Sequence, residues 1–181
     1  MRRNENEKNN KRDAIISVGY DLFAKKGLEK TSVRDISTVA DVNINTIYYY
    51  FRTKAEIVIC CVEYGLNRIF SNIFSSCFCD NTDNINAETI LSHSLALKEE
   101  LCWCYQVIAS PNYNWLVKDI ISRIRNVFFQ KIENAFSVKT EQLRNHIKIA
   151  VLIVKDYVIT EDINCKDCFI SVINQINCLI K

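Results

Sequence analysis

The residues best suited to chemistry lie in a run of three tyrosines and in several closely spaced cysteines. Tyr48, Tyr49 and Tyr50 lie between Ile47 and Phe51, in a segment long enough for about two helical turns. Ile47 and Phe51 are four residues apart, which places them as an apolar pair on one helix face. Because three consecutive helical residues span about 200° of arc, the three phenols cannot all point inward with that pair. At least one phenol is therefore expected to be exposed, where it can donate to a phosphate or contact a base edge.

Polar and basic residues flank this tyrosine segment. Asn45 and Thr46 lie near its start, while Arg34 and Lys54 lie at the starts of neighbouring helices and offer cations to phosphates. Residues 1–54 contain eleven Lys/Arg and seven Asp/Glu, a net charge of +4, whereas residues 55–181 contain twelve and fourteen, a net charge of −2. The basic excess lies where a polyanionic partner is expected. A tyrosine cluster seen alone, however, more often packs in a core or an interface than on a base.

Six of the nine cysteines form three close pairs, and such pairs can bind soft metals or cycle between dithiol and disulfide. The pairs are Cys77/Cys79, Cys102/Cys104 and Cys165/Cys168. Cysteines two residues apart on a helix direct their sulfurs about 200° apart, which suits packing better than chelation. The lone CxxC lacks a second CxxC, and His93 and His146 have no zinc-ligand spacing. We therefore expect no metal and no cofactor, with a thiol-based metal or redox sensor as the alternative function.

Enzymatic and membrane functions find little support in the sequence. No Cys/His arrangement, glycine-rich phosphate loop or carboxylate pair stands out, so no catalytic residue is expected. The polar N-terminus lacks the apolar region of a signal peptide, and no run of about 18 uncharged apolar residues is present. These features predict a cytoplasmic protein with reduced thiols and no membrane partner.

The apolar periodicity predicts an all-α fold of about nine helices. Hydrophobic residues make up 49% of the 181 positions, and only four positions are glycine or proline. Residues 1–10 are polar and aperiodic, which predicts a flexible arm. Residues 11–54 predict three short helices, and residues 55–181 predict a second, helical domain. In that second domain one helix is expected over 87–108 and a loop over 80–86.

Local signals place the first helices. Lys25, Lys26 and Gly27 form a helix stop, and Ser32 with Asp35 resembles a capping box. Residues 41–43 predict a tight turn before the tyrosine helix, and residues 53–56 predict another capping box for the fourth helix. Two helices joined by a tight turn, after a first helix, form a helix-turn-helix arrangement.

Three segments of this region resemble the TetR/AcrR family: LFAKKG at 22–27, TSVRDIS at 31–37 and TIYYYFRTKAE at 46–56. The resemblance covers residues 11–58, and the remainder is similar only in length and helical layout. It implies a ligand-released repressor that binds a near-palindromic double-stranded DNA operator as a homodimer. It also implies that the operator is contacted by Arg34, Asn45, Thr46, Tyr48, Tyr49, Tyr50 and Lys54. Two departures are Asp41-Val42-Asn43, where the family usually has Gly-Val-Ser, and Ile44-Asn45, where it usually has a small or basic residue.

The C-terminal two-thirds suggest effector binding and dimerisation. Aromatic residues of the middle helices could line an apolar pocket for a small molecule or could equally fill a core. The pocket candidates are Trp103, Tyr105, Tyr113, Trp115 and Phe128. The last two helices have dense apolar faces, and the resemblance implies that this helix pair forms a four-helix bundle with a second subunit; the alternative is that these faces complete the monomer core. The interface candidates are Val151, Val154, Val158, Phe169, Ile173 and Ile176.

Overall fold

The computed structural model describes residues 2–78, 84–136, 138 and 140–180. Within these residues the chain forms nine α-helices and no strand, which confirms the all-α prediction. The helices are α1 (Arg2–Lys26), α2 (Val33–Val39), α3 (Ile44–Tyr50), α4 (Lys54–Phe78), α5 (Ala87–Ala96), α6 (Lys98–Ala109), α7 (Asn114–Phe136), α8 (Glu141–Thr160) and α9 (Ile163–Leu179).

Two predicted elements differ from the structure. Residues 2–10, which were predicted as an aperiodic arm, are helical, since α1 begins at Arg2. No glycine or proline occurs before Gly19, and Glu, Lys and Arg are good helix formers. The single helix over 87–108 is divided at Leu97, whose φ of −106° and ψ of 24° end α5 before α6 begins. Of the predicted loop over 80–86, residues 80–83 lie outside the described residues.

The chain divides into two compact units. The first comprises Met1–Leu66 and Trp103–Ile121, and the second comprises Asn67–Cys102 and Ser122–Lys181. The first unit therefore extends beyond the predicted DNA-binding domain of 11–54. It does so because the first half of α4 contributes buried residues such as Ile57, Val58 and Val62 to its core.

An aromatic cluster forms part of the first unit's core. The buried Tyr20 ring makes edge contacts with Tyr64, at 5.4 Å between ring centres, and with Trp103, at 5.5 Å. Phe23 stacks on Trp103 with ring centres 5.7 Å apart and planes within 5° of parallel. Gly65 of α4 makes room for this cluster, because a Cβ built there would lie 2.2 Å from Tyr20 Cε2.

The second unit is organised around the α8–α9 pair. The two helices pack together through buried side chains, including Val158 of α8 and Phe169 of α9. Polar links join this pair to other helices of the unit. The buried Glu133 carboxylate of α7 accepts two hydrogen bonds from Arg144 of α8, the one from Nη2 measuring 3.0 Å. Asn177 of α9 pairs with the backbone of Ile85 at 2.7 and 3.0 Å, which fixes the chain just before α5.

Helix α4 is long and apolar enough between Lys54 and Ser75 to cross a membrane, judged by length and composition alone. Its apolar face has another explanation within the first unit. Ile57, Val58, Cys61 and Val62 are all buried there, as expected for the central helix of a packed core. Core packing therefore accounts for the hydrophobicity of this half of the helix.

Candidate DNA-binding site

Helix α2 begins with the predicted capping box. Ser32 Oγ accepts a hydrogen bond from the backbone N–H of Asp35 at 3.1 Å, and Asp35 Oδ2 accepts one from the backbone N–H of Ser32 at 2.7 Å. The hydrogen bonds from the Ser32 side chain and backbone lower the pKa of Asp35. The carboxylate therefore stays ionised and keeps the box closed at neutral pH, which fixes where the helix-turn-helix starts.

The turn between α2 and α3 lies where the sequence predicted it and contains a residue in the left-handed conformation. Asp41 has a φ of 51°, a region where Asp is more tolerated than most non-glycine residues. Ser37 spans the turn, because its hydroxyl donates to the Val42 carbonyl at 2.7 Å while its carbonyl accepts from the Val42 N–H at 3.1 Å. Asn43 then caps α3 by accepting from the Asn45 N–H at 2.8 Å. Aspartate thus fills the position where the family usually has glycine, and the turn still closes.

Helix α3 has one buried face and one exposed face. Ile47 and Phe51 are buried, which confirms the predicted inward pair. Tyr48 and Tyr49 have 50% and 67% of their surface exposed, whereas Tyr50 is half-buried. The Tyr49 and Tyr50 rings meet edge to face with centres 5.1 Å apart, and Tyr50 also leans on Phe51 at 6.4 Å. Two phenols are therefore presented to solvent, while the third supports the helix.

The predicted flanking residues differ in their environments. Arg34, in the first turn of α2, and Asn45, in the first turn of α3, are exposed, and Thr46 is half-buried. Lys54 is also half-buried, because its ammonium donates to the Leu28 carbonyl at 2.7 Å and lies 5.9 Å from the centre of the Phe23 ring. Lys54 thus links the start of α4 to the segment between α1 and α2. Its contact with a phosphate stays a prediction.

Arg12 is a positioning residue that sequence reasoning missed. Its guanidinium lies 5.4 Å from the centre of the Phe51 ring and donates to Cys60 Sγ at 3.3 Å. It therefore joins α1 to the end of α3 and to α4. No spacing signal marks it, since these three residues are distant in sequence. Burial is the main cause that raises the pKa of the Cys60 thiol, so this cysteine favours its neutral form.

The five aromatic pocket candidates lie in different surroundings. Trp103 fills the first unit's core, whereas Trp115 of the same unit is 69% exposed. Tyr105 and Tyr113 are half-buried, and Phe128 lies in the second unit with its ring 4.6 Å from that of Phe70. Aromatic composition therefore did not distinguish core from surface among these residues, and the pocket that they would line together stays a prediction. A cavity of about 390 Å³ lies elsewhere in the second unit and has a charged lining, formed by Glu133, Thr140, Glu141, Arg144 and Lys148.

The predicted interface residues are mostly buried within the second unit itself. The buried residues are Val154, Val158, Phe169, Ile173 and Ile176, and Val151 is half-buried. This corrects their assignment, because α8 and α9 use these side chains to pack on each other and on their own unit. The large exposed apolar residues of α8 lie on a different stripe: Ile149, Leu152 and Ile159, spaced three and seven residues apart.

The cysteine pairs also separate. Cys102 is half-buried and Cys104 buried on α6, while Cys165 is half-buried and Cys168 exposed on α9. The side chains of Cys77 and Cys79 lie outside the described residues. Among the side chains that the structure does describe, no group of three or more His, Cys, Asp or Glu is arranged to hold a metal ion.

Known proteins share the helix-turn-helix segment of this chain. Residues 15–60 match the family described as bacterial regulatory proteins, tetR family. Over 47 residues the chain is 45% identical to the probable HTH-type transcriptional regulator YttP of Bacillus subtilis, and over 65 residues it is 34% identical to the negative transcriptional regulator IcaR of the Staphylococcus aureus icaADBC biofilm operon. These matches cover 26% and 34% of this chain and 23% and 35% of the relatives, so the chain spans only about a quarter to a third of the curated relatives it matches.

Solved structures match over nearly the whole chain. A TetR-family transcriptional regulator from Streptomyces coelicolor shares the fold with a TM-score of 0.67 at 13% identity, covering 94% of this chain and 80% of that one. The multidrug binding protein EbrR, solved with imidazole, aligns with a TM-score of 0.64 at 12% identity, covering 90% and 94%. The helix-turn-helix segment of this chain therefore matches the tetR family of bacterial regulatory proteins, and most of the chain shares its fold with solved structures of TetR-family regulators.

Proposed function

We propose that this protein is a sequence-specific DNA-binding regulator that reads its operator with α3. The observation that carries the proposal is the division of α3 into a buried pair, Ile47 and Phe51, and an exposed face with Tyr48 and Tyr49. A helix anchored in this way can enter a major groove without losing its own packing. Exposed Arg34 and Asn45 add a cation and an amide beside it, suited to a phosphate and a base edge.

Sequence selection from a pool of random DNA duplexes tests this proposal. Reading of base edges enriches a motif, whereas attraction to phosphates alone binds all duplexes alike and enriches none. We further propose that the protein binds a near-palindromic operator, since two copies related by a twofold axis present two α3 helices to two half-sites. We also propose that it acts in the cytoplasm.

The homodimer that we propose forms through the exposed stripe of α8. Ile149, Leu152 and Ile159 are all at least 46% exposed, although they are large and apolar. A row of such residues on a 20-residue helix is typical of a helix-packing interface.

Leu152→Glu is therefore expected to weaken self-association. Leu152 is 60% exposed in the single chain, so the change does not disturb the chain's own core. In a twofold interface it places two carboxylates near each other in an apolar contact, for which we expect about a tenfold or greater rise in the dimer dissociation constant. Sedimentation equilibrium measures that constant.

Val127→Glu is the matched control, because Val127 is an exposed apolar residue of α7 at 47%. It should leave self-association unchanged. Equal weakening by both substitutions, or none by Leu152→Glu, would rule out the α8 stripe as the interface.

We also propose that the protein is a repressor and that it releases DNA when an effector binds. The support is that IcaR is a negative transcriptional regulator and that EbrR is a multidrug binding protein solved with imidazole. An effector releases DNA only if it binds more tightly to a conformation in which the two α3 helices no longer fit the operator. The aromatic set is not proposed as its pocket, since Trp103 fills a core and Trp115 faces solvent.

A further inference from the structure

The corner between α8 and α9 holds two cysteines that the proposed function does not use. Cys165 and Cys168 lie in the first two turns of α9, half-buried and exposed respectively. Residues three apart on a helix share a face, with Cβ atoms about 5–6 Å apart. A disulfide needs about 3.5–4.5 Å between Cβ atoms, so the bond can form if the two Cβ atoms approach each other by about 0.5–2.5 Å.

The same corner is tied to two other helices by ion pairs. Glu161, which ends α8 with a left-handed φ of 54°, pairs with Lys98 at the start of α6. Lys166, which lies between the two cysteines, pairs with Glu88 of α5 at 3.1 Å. The first backbone hydrogen bond of α9 runs from the Lys166 N–H to the Asp162 carbonyl at 3.2 Å. A change in backbone conformation between Cys165 and Cys168 is therefore expected to affect the ion pairs that link this corner to α5 and α6.

We propose that Cys165 and Cys168 form a reversible redox site, which a hydroperoxide oxidises to an intramolecular disulfide. The exposed Cys168 thiolate attacks a peroxide oxygen; an S–O bond forms, the O–O bond breaks, and the alcohol or water leaves. Cys165 sulfur then attacks the resulting sulfenic acid; the S–S bond forms, the S–O bond breaks, and hydroxide leaves with the thiol proton as water. The two thiols lose two electrons, the peroxide gains them, and an external dithiol reverses the reaction.

Position selects this pair over the exposed Cys178 on the same helix. Ten residues separate Cys168 from Cys178, a rise of about 15 Å along α9, and a disulfide tolerates at most about 7 Å between Cα atoms. Cys178 therefore cannot bond either cysteine within its own chain while α9 is intact. Because Cys178 is exposed and lies on the same helix, it is a matched control for the proposed pair.

Disulfide formation is expected to tighten the first turns of α9 and to loosen the ion pairs at the corner. Drawing the two Cβ atoms together moves the backbone on both sides of Lys166, and hence its contact with Glu88. Glu161, which pairs with Lys98 of α6, lies four residues before Cys165 in the chain. The expected effect is faster amide exchange at the start of α6 and in α5, by about threefold or more, since local opening there becomes easier.

Peptide mapping of the full-length protein tests the site. Trypsin cleaves after Lys166, between the two cysteines, so a disulfide joins peptides 156–166 and 167–181. After treatment with hydrogen peroxide in a Cys178→Ser background, we expect these joined peptides, with a mass two hydrogens lower and full reversal by dithiothreitol. Cys165→Ser in the same background should abolish the link and leave Cys168 as a sulfenic acid, which dimedone labels.

Other products would overturn the proposal. These are two thiols that both stay open to alkylation, separate sulfinic acids on each cysteine, or joined peptides that appear only when Cys178 is present. Hydrogen exchange of the oxidised protein tests the coupling separately. Unchanged exchange over residues 84–102 would overturn the link from the disulfide to α5 and α6. Neither measurement involves DNA, so failure here is distinct from failure of the proposed function.

Discussion

Replacing Tyr49 with alanine is expected to weaken binding to a selected operator by about 30-fold or more, with the fold and the dimer intact. A good contact to a base edge contributes about 1–3 kcal/mol, and a dimer makes the contact twice, which gives about 2–6 kcal/mol. At about 1.4 kcal/mol for each factor of ten, the lower end corresponds to about 30-fold. Since 67% of Tyr49 is exposed, its removal costs little packing. Fluorescence anisotropy with labelled duplex at fixed physiological salt measures the change.

Trp115→Ala is the matched control for Tyr49→Ala. Trp115 belongs to the same unit, is aromatic and is 69% exposed, but lies on α7 rather than on α3. Its removal should change operator affinity by less than about twofold, because exposed side chains away from a contact surface contribute little. If the two variants lost affinity equally, or if Tyr49→Ala lost none, α3 would not be the reading helix.

Replacing Gly65 with alanine is expected to destabilise the first unit by about 2 kcal/mol, despite the better helix propensity of alanine. The new methyl group would lie 2.2 Å from Tyr20 Cε2 and 3.0 Å from Tyr20 Cδ2, and the buried ring also contacts Trp103 and Tyr64. Overpacking of this kind costs about 1–3 kcal/mol and sometimes more, whereas glycine to alanine within a helix gains about 1 kcal/mol. A contact this short places the cost at the upper end, so overpacking exceeds the propensity gain.

Gly19→Ala provides the comparison for Gly65→Ala. A Cβ at Gly19 would meet Cys61 Sγ at 3.1 Å and Ile57 Cγ2 at 3.4 Å, which are contacts that small side-chain shifts can relieve. The propensity gain of about 1 kcal/mol then offsets most of the cost, and stability should change little. Urea unfolding followed by Trp103 fluorescence in a Trp115→Phe background reports on the first unit. Tyr20→Ala combined with Gly65→Ala should lose less stability than the two single changes added together; full additivity would show that the Tyr20 contact is not the cause.

Local signals predicted the helix-turn-helix because its starts and stops depend on neighbouring residues. Ser32 and Asp35 form the capping box, the Asp41 turn takes a left-handed φ, and Ile47 with Phe51 points inward. Each of these outcomes follows from residues within about five positions of one another. The fourth helix begins at Lys54 as predicted. Only half of the predicted capping box forms: the Thr53 hydroxyl accepts from the Glu56 N–H, but the Glu56 carboxylate accepts from the Arg52 N–H at 2.9 Å instead of from the Thr53 N–H.

The features that the sequence did not predict depend on contacts between residues that are distant in the chain. Periodicity identifies an apolar face of α8 or α9, but it does not say whether that face meets its own unit or a second copy. Val158 and Phe169 accordingly turned out to be core, whereas Leu152 is exposed. The same limit applies to Trp103, which packs against α1 residues some eighty positions away, and to Arg12, whose partners lie on α3 and α4.

Selection of bound sequences from random duplexes, with wild-type protein and the Tyr49→Ala variant side by side, tests the central claim most directly. The claim is that the exposed face of α3 reads base sequence in a twofold arrangement. It predicts that wild-type protein enriches an inverted repeat with half-sites about one helical turn, or a multiple of it, apart, and that the variant loses that enrichment while retaining salt-dependent binding to any duplex. Enrichment of no motif by wild-type protein, or of the same motif to the same degree by both proteins, would contradict it.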